Sequence, residues 1–270
     1  MNKYLVLFCI LITTNLFAKE NSFTTSVSFV GMSMDYREYD KSGELLDTET
    51  SNYWDTGGVE VNFAYIIDQG ESSHSTISYN FMMLTGNTVY RGSLRDSDEG
   101  FGSYIGSTLN TITDKDISYK QSKMISSDYE LSYGIGLGYR YWERVLSMRQ
   151  IEIYTWYSIR PMIGISTLRK DGLSFGAFLE YQYGFDTKMS ASEPELNHTF
   201  TLGGADILEV TIPVKYNYKE DVAFVFEAVF QKQMIEESDR LYTLSGDAYY
   251  YEPDSTAYNS YLKMGIELNF

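Results

Sequence analysis

The last eight residues of the chain, 263–270, alternate strictly between two kinds of side chain. One set is apolar and ends on an aromatic ring: Met264, Ile266, Leu268 and Phe270. The other set is polar or small: Lys263, Gly265, Glu267 and Asn269. Successive side chains of a β-strand point to opposite faces, so this segment is predicted to be a strand with one apolar face. Either a soluble β-sandwich or a barrel in lipid could cover that face.

The same alternation recurs along the chain, in segments separated alternately by long and short connections. Ten strands are predicted, at 22–36, 59–65, 77–83, 117–126, 129–141, 151–168, 173–184, 208–216, 222–230 and 258–270. Long polar loops are predicted at 40–55, 86–116, 186–204 and 237–255. An even number of antiparallel strands, with short turns at the end that holds both termini, is typical of an up-and-down β-barrel. The segment 104–112 is an alternative for the fourth strand, and eight strands is the alternative count.

The N-terminal residues favour export. Lys3 precedes an apolar stretch from Tyr4 to Leu16, and Ala18 is a small residue suited to cleavage. Residues 1–18 are therefore predicted to be a secretory signal peptide, because the stretch is too short to span ~30 Å of hydrocarbon. Cys9 is the single cysteine and would be removed, so the mature chain has no disulfide or thiolate chemistry. Residues 19–270 are predicted to form one domain.

The composition of the chain then favours a barrel in lipid over a soluble β-sandwich. The chain has 25 tyrosines and no second apolar run long enough for a membrane-spanning helix. A barrel buries only one face of each strand in lipid, and tyrosine is favoured where the apolar band meets water. We therefore predict an all-β, antiparallel, transmembrane barrel in the bacterial outer membrane, with extracellular loops and both termini in the periplasm. The net charge of −16 argues against nucleic-acid binding, and no cofactor is predicted.

The terminal strand also resembles the signal that outer-membrane barrels present to their assembly machinery. The residues that carry this likeness are Lys263, Gly265, Leu268 and Phe270. The resemblance implies that the barrel assembly machinery is a partner, together with outer-membrane lipid and lipopolysaccharide.

Charged side chains on the inward face are predicted to pair across a narrow lumen and leave no wide channel. They are Glu60, Arg140, Glu152, Arg160, Glu180, Glu209, Lys215, Glu227, Lys263 and Glu267. A conducting pore is the alternative. Gly134, Gly136 and Gly138 lie within a predicted strand, which favours small residues facing a crowded lumen over a phosphate-binding loop.

Three segments, 160–165, 173–181 and 258–270, together with the ten-stranded layout, resemble the omptins, a family of outer-membrane endopeptidases. The family has an Asp pair after the third strand that faces an Asp-His couple after the seventh. Asp96, Asp98 and His198 stand in the corresponding loops, but position 196 is Leu196 and the nearest acid is Glu195. A general base needs its carboxylate within hydrogen-bond reach of the imidazole, so Glu195 could serve only if the loop re-forms.

The incomplete couple favours a structural or surface-binding role without catalysis. An omptin-like endopeptidase, with Asp96, Asp98, Glu195 and His198 as candidate catalytic residues, is the first alternative, and a small solute channel is the second. No metal site is predicted, because Ser107 occupies the twelfth position from Asp96, where a calcium loop needs a bidentate glutamate. His74 is expected near a periplasmic turn, too far from the candidate catalytic residues in the extracellular loops to act with them.

Overall fold

The computed structural model describes residues 21–70, 72–93, 100–168, 172–192, 197–242 and 249–270. The predicted signal peptide lies outside these residues. The strands are β1 (Asn21–Tyr39), β2 (Leu45–Asp68), β3 (Ser73–Gly92), β4 (Tyr104–Met124), β5 (Tyr129–Ser147), β6 (Gln150–Thr167), β7 (Gly172–Ser192), β8 (Asn197–Thr201), β9 (Ala205–Lys219), β10 (Val222–Ile235), β11 (Leu241–Tyr242), β12 (Tyr249–Tyr250) and β13 (Asp254–Asn269). The described part of the chain contains no helix with the length and apolarity to cross a membrane.

Ten long strands close into a single antiparallel barrel. Each pairs with the next along the chain, β7 pairs with β9, β10 pairs with β13, and β13 returns to β1. The prediction of a ten-stranded up-and-down barrel is therefore confirmed. Closure leaves no long strand with an unpaired edge, which is what allows such a sheet to lie in lipid.

The two ends of the barrel differ. At one, called here the turn end, short connections follow β2, β4, β6 and β9, and the closing seam is tied by Phe23 and Phe270, whose backbones exchange two hydrogen bonds of 3.1 and 2.8 Å. At the other, called the loop end, the strands continue well past the apolar exterior. β1 shows the change: Val27 and Phe29 are exposed apolar residues on the outer face, whereas Asp35 and Arg37 farther along that face form an exposed ion pair.

The outer face of the turn-end half carries a belt of exposed apolar side chains. Members include Val27, Phe29, Phe63, Tyr79, Ile117, Ile135, Leu137, Ile163, Leu179, Ile212, Phe226, Met264 and Ile266. So much exposed apolar surface is foreign to a water-soluble monomer and typical of a lipid-facing barrel wall.

Several segments predicted to be loops are strands, so those predictions are wrong. β2 begins at Leu45 inside the predicted loop 40–55. β3 extends to Gly92 and β4 begins at Tyr104 and ends at Met124, so the fourth strand includes 104–112 and all but the last two residues of 117–126. β7 likewise runs to Ser192 within the predicted loop 186–204. Beyond the belt both faces of these strands are rich in polar residues, which removes the apolar alternation that identifies a strand.

A bulge in β2 places two aromatic side chains on the barrel exterior. The register shifts between Thr50 and Thr56, and Trp54 has a positive φ of 73°. Its ring lies over Gly31 of β1, where a Cβ would come within 2.6 Å of the indole. The hydroxyl of Tyr53 donates a hydrogen bond of 2.7 Å to Ser260 of β13. Gly31 thus leaves room for the indole of Trp54, and the bulge covers the seam between β1 and β13.

Candidate functional site in the barrel interior

The turn-end half of the interior holds one continuous cavity. Its lower section, about 590 Å³, reaches the turn end at His74, Glu130 and Ser166. Its upper section, about 410 Å³, ends at Arg140 and Asp114. The two sections share eleven lining residues and so form a single space, called here the lumen cavity. Nine of the ten charged residues predicted to point inward line it; the exception, Glu152, lies nearer the loop end.

Two lysines of the lumen cavity neutralise carboxylates on strands one or two positions away around the barrel. Lys263 on β13 lies between Glu60 and Glu227, with Nζ to oxygen distances of 2.8 Å to each. Lys215 on β9 forms an ion pair with Glu267 on β13. These bridges join strands around the wall, and their burial makes each charge costly without its partner.

Two arginines and two aspartates form the top of the lumen cavity. Asp114 accepts a 2.7 Å hydrogen bond from Nε of Arg140 and a 2.8 Å bond from Nη2 of Arg160. Asp116 lies 3.6 Å from Arg160. The Arg160 guanidinium occupies the space over Gly138, where a Cβ would come within 2.2 Å of it. The inward glycine is therefore needed to seat this arginine.

Above that layer the described interior is filled by a cluster of buried side chains, called here the loop-end core. Its largest members are Met32, Tyr36, Leu84, Trp142, Tyr154, Trp156, Phe200 and Ile207, all fully or almost fully buried. The Trp142 ring stacks on Tyr154 at 5.0 Å and meets Tyr36 edge-on at 5.4 Å. A void of about 10 Å³ remains at the base of this core, the lower limit for a single water.

A buried ionic group, the Arg144 cluster, lies within the loop-end core. The guanidinium of Arg144 donates to Glu49 at 3.0 and 3.2 Å, to Glu38 at 3.1 Å and to Glu152 at 2.8 Å. Its remaining donated bond, of 3.1 Å, goes to the hydroxyl of Tyr154. It also lies 4.6 Å from the centre of the Tyr36 ring, a distance suited to a cation–π contact.

The Arg144 cluster contains more carboxylates than its single cation can neutralise. Glu252 accepts a short hydrogen bond from Tyr154, and Asp47 accepts one of 2.9 Å from Tyr90. Burial raises the pKa of Asp47 to about 9 and that of Glu152 to about 7, and raises the pKa of Glu252 well above its usual value. The negative charge of Glu38 adds to all three shifts. The folded cluster therefore retains protons that the unfolded chain releases near pH 4.

The stability of the loop-end half should fall as the pH rises. Because the folded pKa values of Glu152 and Asp47 lie above the unfolded ones, their stabilising protonation is complete in acid and is lost through about pH 7 and pH 9. We expect amide hydrogen exchange in the loop-end halves of β1, β2 and β6 to accelerate between about pH 4 and pH 9 beyond its intrinsic base catalysis, and to follow that catalysis alone above pH 9. Asp47→Asn should remove the part of this loss that lies between about pH 7 and pH 9, and protection independent of pH would contradict this assignment.

The candidate catalytic residues are only partly described. Asp96, Asp98 and Glu195 lie outside the described residues. His198 is half-buried on β8, opposite Ala191 of β7, and its ring meets Phe200 edge-on at 4.8 Å. Within the described ranges no carboxylate forms a hydrogen bond or ion pair with it. His74 lies at the turn end, 3.9 Å from Glu130, as its place in the sequence suggests.

Sequence reasoning missed the acids and the arginine that organise the upper interior. Asp114 and Asp116 precede the predicted start of the fourth strand at 117. Glu38, Glu49 and Arg144 lie outside the predicted strands, which end with the apolar belt. One signal was available. Arg140, Trp142 and Arg144 continue the two-residue period of β5, so extending that period would have placed Arg144 inside the barrel.

No family model matches the sequence, and no curated protein matches it. Among solved structures, the barrel is similar to the outer membrane protease OmpT from Escherichia coli, with a TM-score of 0.60 and 11% identity over 93% of this chain and 98% of that chain. Weaker likenesses are the translocator domain of autotransporter NalP from Neisseria meningitidis (TM-score 0.46, 6% identity, 97% and 94% covered) and Ail of Yersinia pestis (0.32, 9%, 93% and 99%).

At 11% identity the likeness to OmpT shows the fold alone. The closed ten-stranded wall, its exposed apolar belt and this likeness together define the class: the chain has the fold of an outer-membrane β-barrel.

Proposed function

We propose that this chain is an integral protein of the bacterial outer membrane with an omptin-like architecture and a structural or surface-binding role without catalysis. The termini and short turns face the periplasm, and the loop end stands outside the cell. The signal peptide at 1–18 exports the chain, the barrel assembly machinery inserts it, and lipid and lipopolysaccharide surround the belt. The observation that carries the proposal is the loop-end core, which fills the lumen where a channel or an open cleft would need space.

The protein should conduct no steady current in a planar bilayer. Trp142, Trp156 and Tyr36 are at most 2% exposed and lie within the lumen above the cavity, so the residues that the structure describes leave ions no continuous path. The double variant Tyr36→Ala with Trp142→Ala should open a measurable conductance. Its control is Tyr139→Ala with Tyr157→Ala, a ring pair 5.2 Å apart in which Tyr157 is exposed. This control variant should show no conductance.

Two results would contradict the proposed role. A steady, ion-selective current through the wild type would favour the solute channel. Cleavage of peptides with paired basic residues by the wild type in lipopolysaccharide, lost in His198→Ala, would favour the omptin-like endopeptidase.

A further inference from the structure

The upper section of the lumen cavity carries an imbalance of charge. Seven carboxylates and five cationic side chains line it. Five of those carboxylates are ion paired with Arg140, Arg160, Lys215 or Lys263. The two left over, Glu180 and Glu209, form no ion pair with any described residue.

Glu180 and Glu209 are also direct neighbours. They are paired in register on β7 and β9, and both line the cavity. Directly opposite side chains of an antiparallel pair have Cβ atoms about 4.5–5.5 Å apart, and like charges in that position repel. The fifth cation, Lys120, does not relieve them. The Lys120 ammonium lies over the Phe178 ring, 5.5 Å from its centre. Across the sheet, Lys120 of β4 pairs with Gly134 of β5, Gly134 pairs with Met162 of β6, and Met162 pairs with Glu180 of β7. Lys120 and Glu180 are therefore three strands apart.

A second, independent observation indicates that this place lacks a hydrogen-bond donor. Gln182 is 1% exposed and lines the same section of the cavity. Its Nε2 donates a 3.0 Å bond to Glu180, but its Oε1 is buried and accepts no hydrogen bond from the protein. Buried polar oxygens are rarely left without a partner. Glu209 accepts a hydrogen bond at each oxygen, from Thr211 and Gln231, and Glu180 accepts one from Gln182. Four acceptor oxygens on the two carboxylates thus receive three donors and no cation, and Oε1 of Gln182 receives none.

We propose that the lumen cavity binds a small organic amine, whose primary ammonium group is held by Glu180, Glu209 and Gln182. An ammonium offers three donors and one positive charge, which match a set made only of acceptors. Among the described residues no group of three or more His, Cys, Asp or Glu is arranged to hold a metal ion. A diamine suits this cavity best, because the carboxylates of the upper section outnumber its cationic side chains by two. The ligand enters from the turn end, since the loop-end core closes the other.

The test uses the refolded full barrel in detergent micelles, with putrescine as the probe and sodium chloride to hold the ionic strength constant. Putrescine should raise the thermal unfolding midpoint saturably, because a ligand that binds only the folded state stabilises it. Tetramethylammonium has the charge but no N–H donor, and it should give no such rise. Glu180→Gln should unfold at a higher midpoint without amine, because the repulsion is gone, and should bind putrescine at least about tenfold more weakly.

Two further variants keep the test decisive. Gln182→Met leaves both charges in place and removes the free acceptor, so it should weaken the putrescine response while the barrel folds normally. Glu130→Gln removes one charge at the mouth of the same cavity and should keep the full response. The proposal fails if the wild type does not respond, or if Glu180→Gln responds like the wild type. It also fails if magnesium gives the same saturable rise and Glu180→Gln abolishes it, since the site would then hold an inorganic cation.

Discussion

Arg144→Met is expected to destabilise the loop-end half by about 3–5 kcal/mol, the usual cost of leaving buried charges without a partner. Arg144 is 1% exposed and is ion paired with Glu38, Glu49 and Glu152. Methionine fills similar volume but leaves those acids with no cation, and some must take up protons to remain buried. The effect should appear as a lower thermal midpoint and as faster amide exchange in the loop-end parts of β1, β2 and β5.

The matched control is Arg37→Met. Arg37 pairs with Asp35 at 2.8 Å, but its side chain is 45% exposed on the outer face. Exposed pairs contribute about 0–1 kcal/mol, so this variant should behave nearly like the wild type. Glu49→Gln placed in Arg144→Met should restore part of the stability, because it removes the most deeply buried of the orphaned charges. Equal effects of the two arginine substitutions would show that the Arg144 cluster does not hold the loop-end core together.

The barrel itself was predictable because lipid imposes a simple rule on each strand. Outward residues within the belt must be apolar and inward ones are polar, so β5, β9, β10 and β13 show a clean two-residue period. The same rule found the inward charges, such as Glu227 and Lys263, which lie on the turn-end half of those strands. The number of alternating segments and the lengths of their connections then predicted ten antiparallel strands, with eight as the alternative.

The same rule explains why the loop-end half was not predictable, since that half lies beyond the apolar belt. Beyond the belt the outer face meets water, so residues such as Asp35 and Arg37 replace the apolar partners that reveal a strand. The inner face there is a mixed core in which Glu49 is as fully buried as Tyr36. A glutamate in a polar stretch is expected to be solvated. The burial of Glu49 is tolerable because of the charge of Arg144, 95 residues away along the chain, and of hydrogen bonds from Thr88 and Asn110.

The candidate catalytic residues illustrate a different limit. The distance along the chain from the predicted strands places Asp96, Asp98 and Glu195 in particular loops. It does not give the conformation of those loops, which depends on contacts with other parts of the protein. Of this set only His198 belongs to the described residues, where its neighbour is the Phe200 ring. The lumen acids Glu180 and Glu209 show the converse: each was identified from its strand, while their pairing across β7 and β9 follows from a register that only the fold reveals.

Deleting Phe270 is expected to reduce assembled barrel in the outer membrane by about tenfold or more, equivalent to roughly 1.4 kcal/mol or more in an equilibrium. Phe270 is 71% exposed, so little of its ring is buried by the barrel itself. Its backbone exchanges two hydrogen bonds with Phe23, and its ring lies 6.1 Å from the Phe23 ring at the seam. The deletion removes both the seam bonds and the terminal aromatic residue of the proposed assembly signal. Heat-modifiable migration of membrane fractions measures the assembled form.

Phe270→Ala separates the two contributions, because alanine keeps the backbone bonds of the seam and loses only the ring. If the ring is read by the assembly machinery, this variant should assemble poorly in cells and yet refold normally in detergent, where no machinery is present. Phe224→Ala is the control: it removes another exposed, outward aromatic ring from the turn-end half of the wall but leaves the terminus intact. It should assemble well. Poor refolding of Phe270→Ala in detergent would instead show that the ring stabilises the β1–β13 seam. Normal assembly of this variant in cells would show that the ring is not part of the assembly signal.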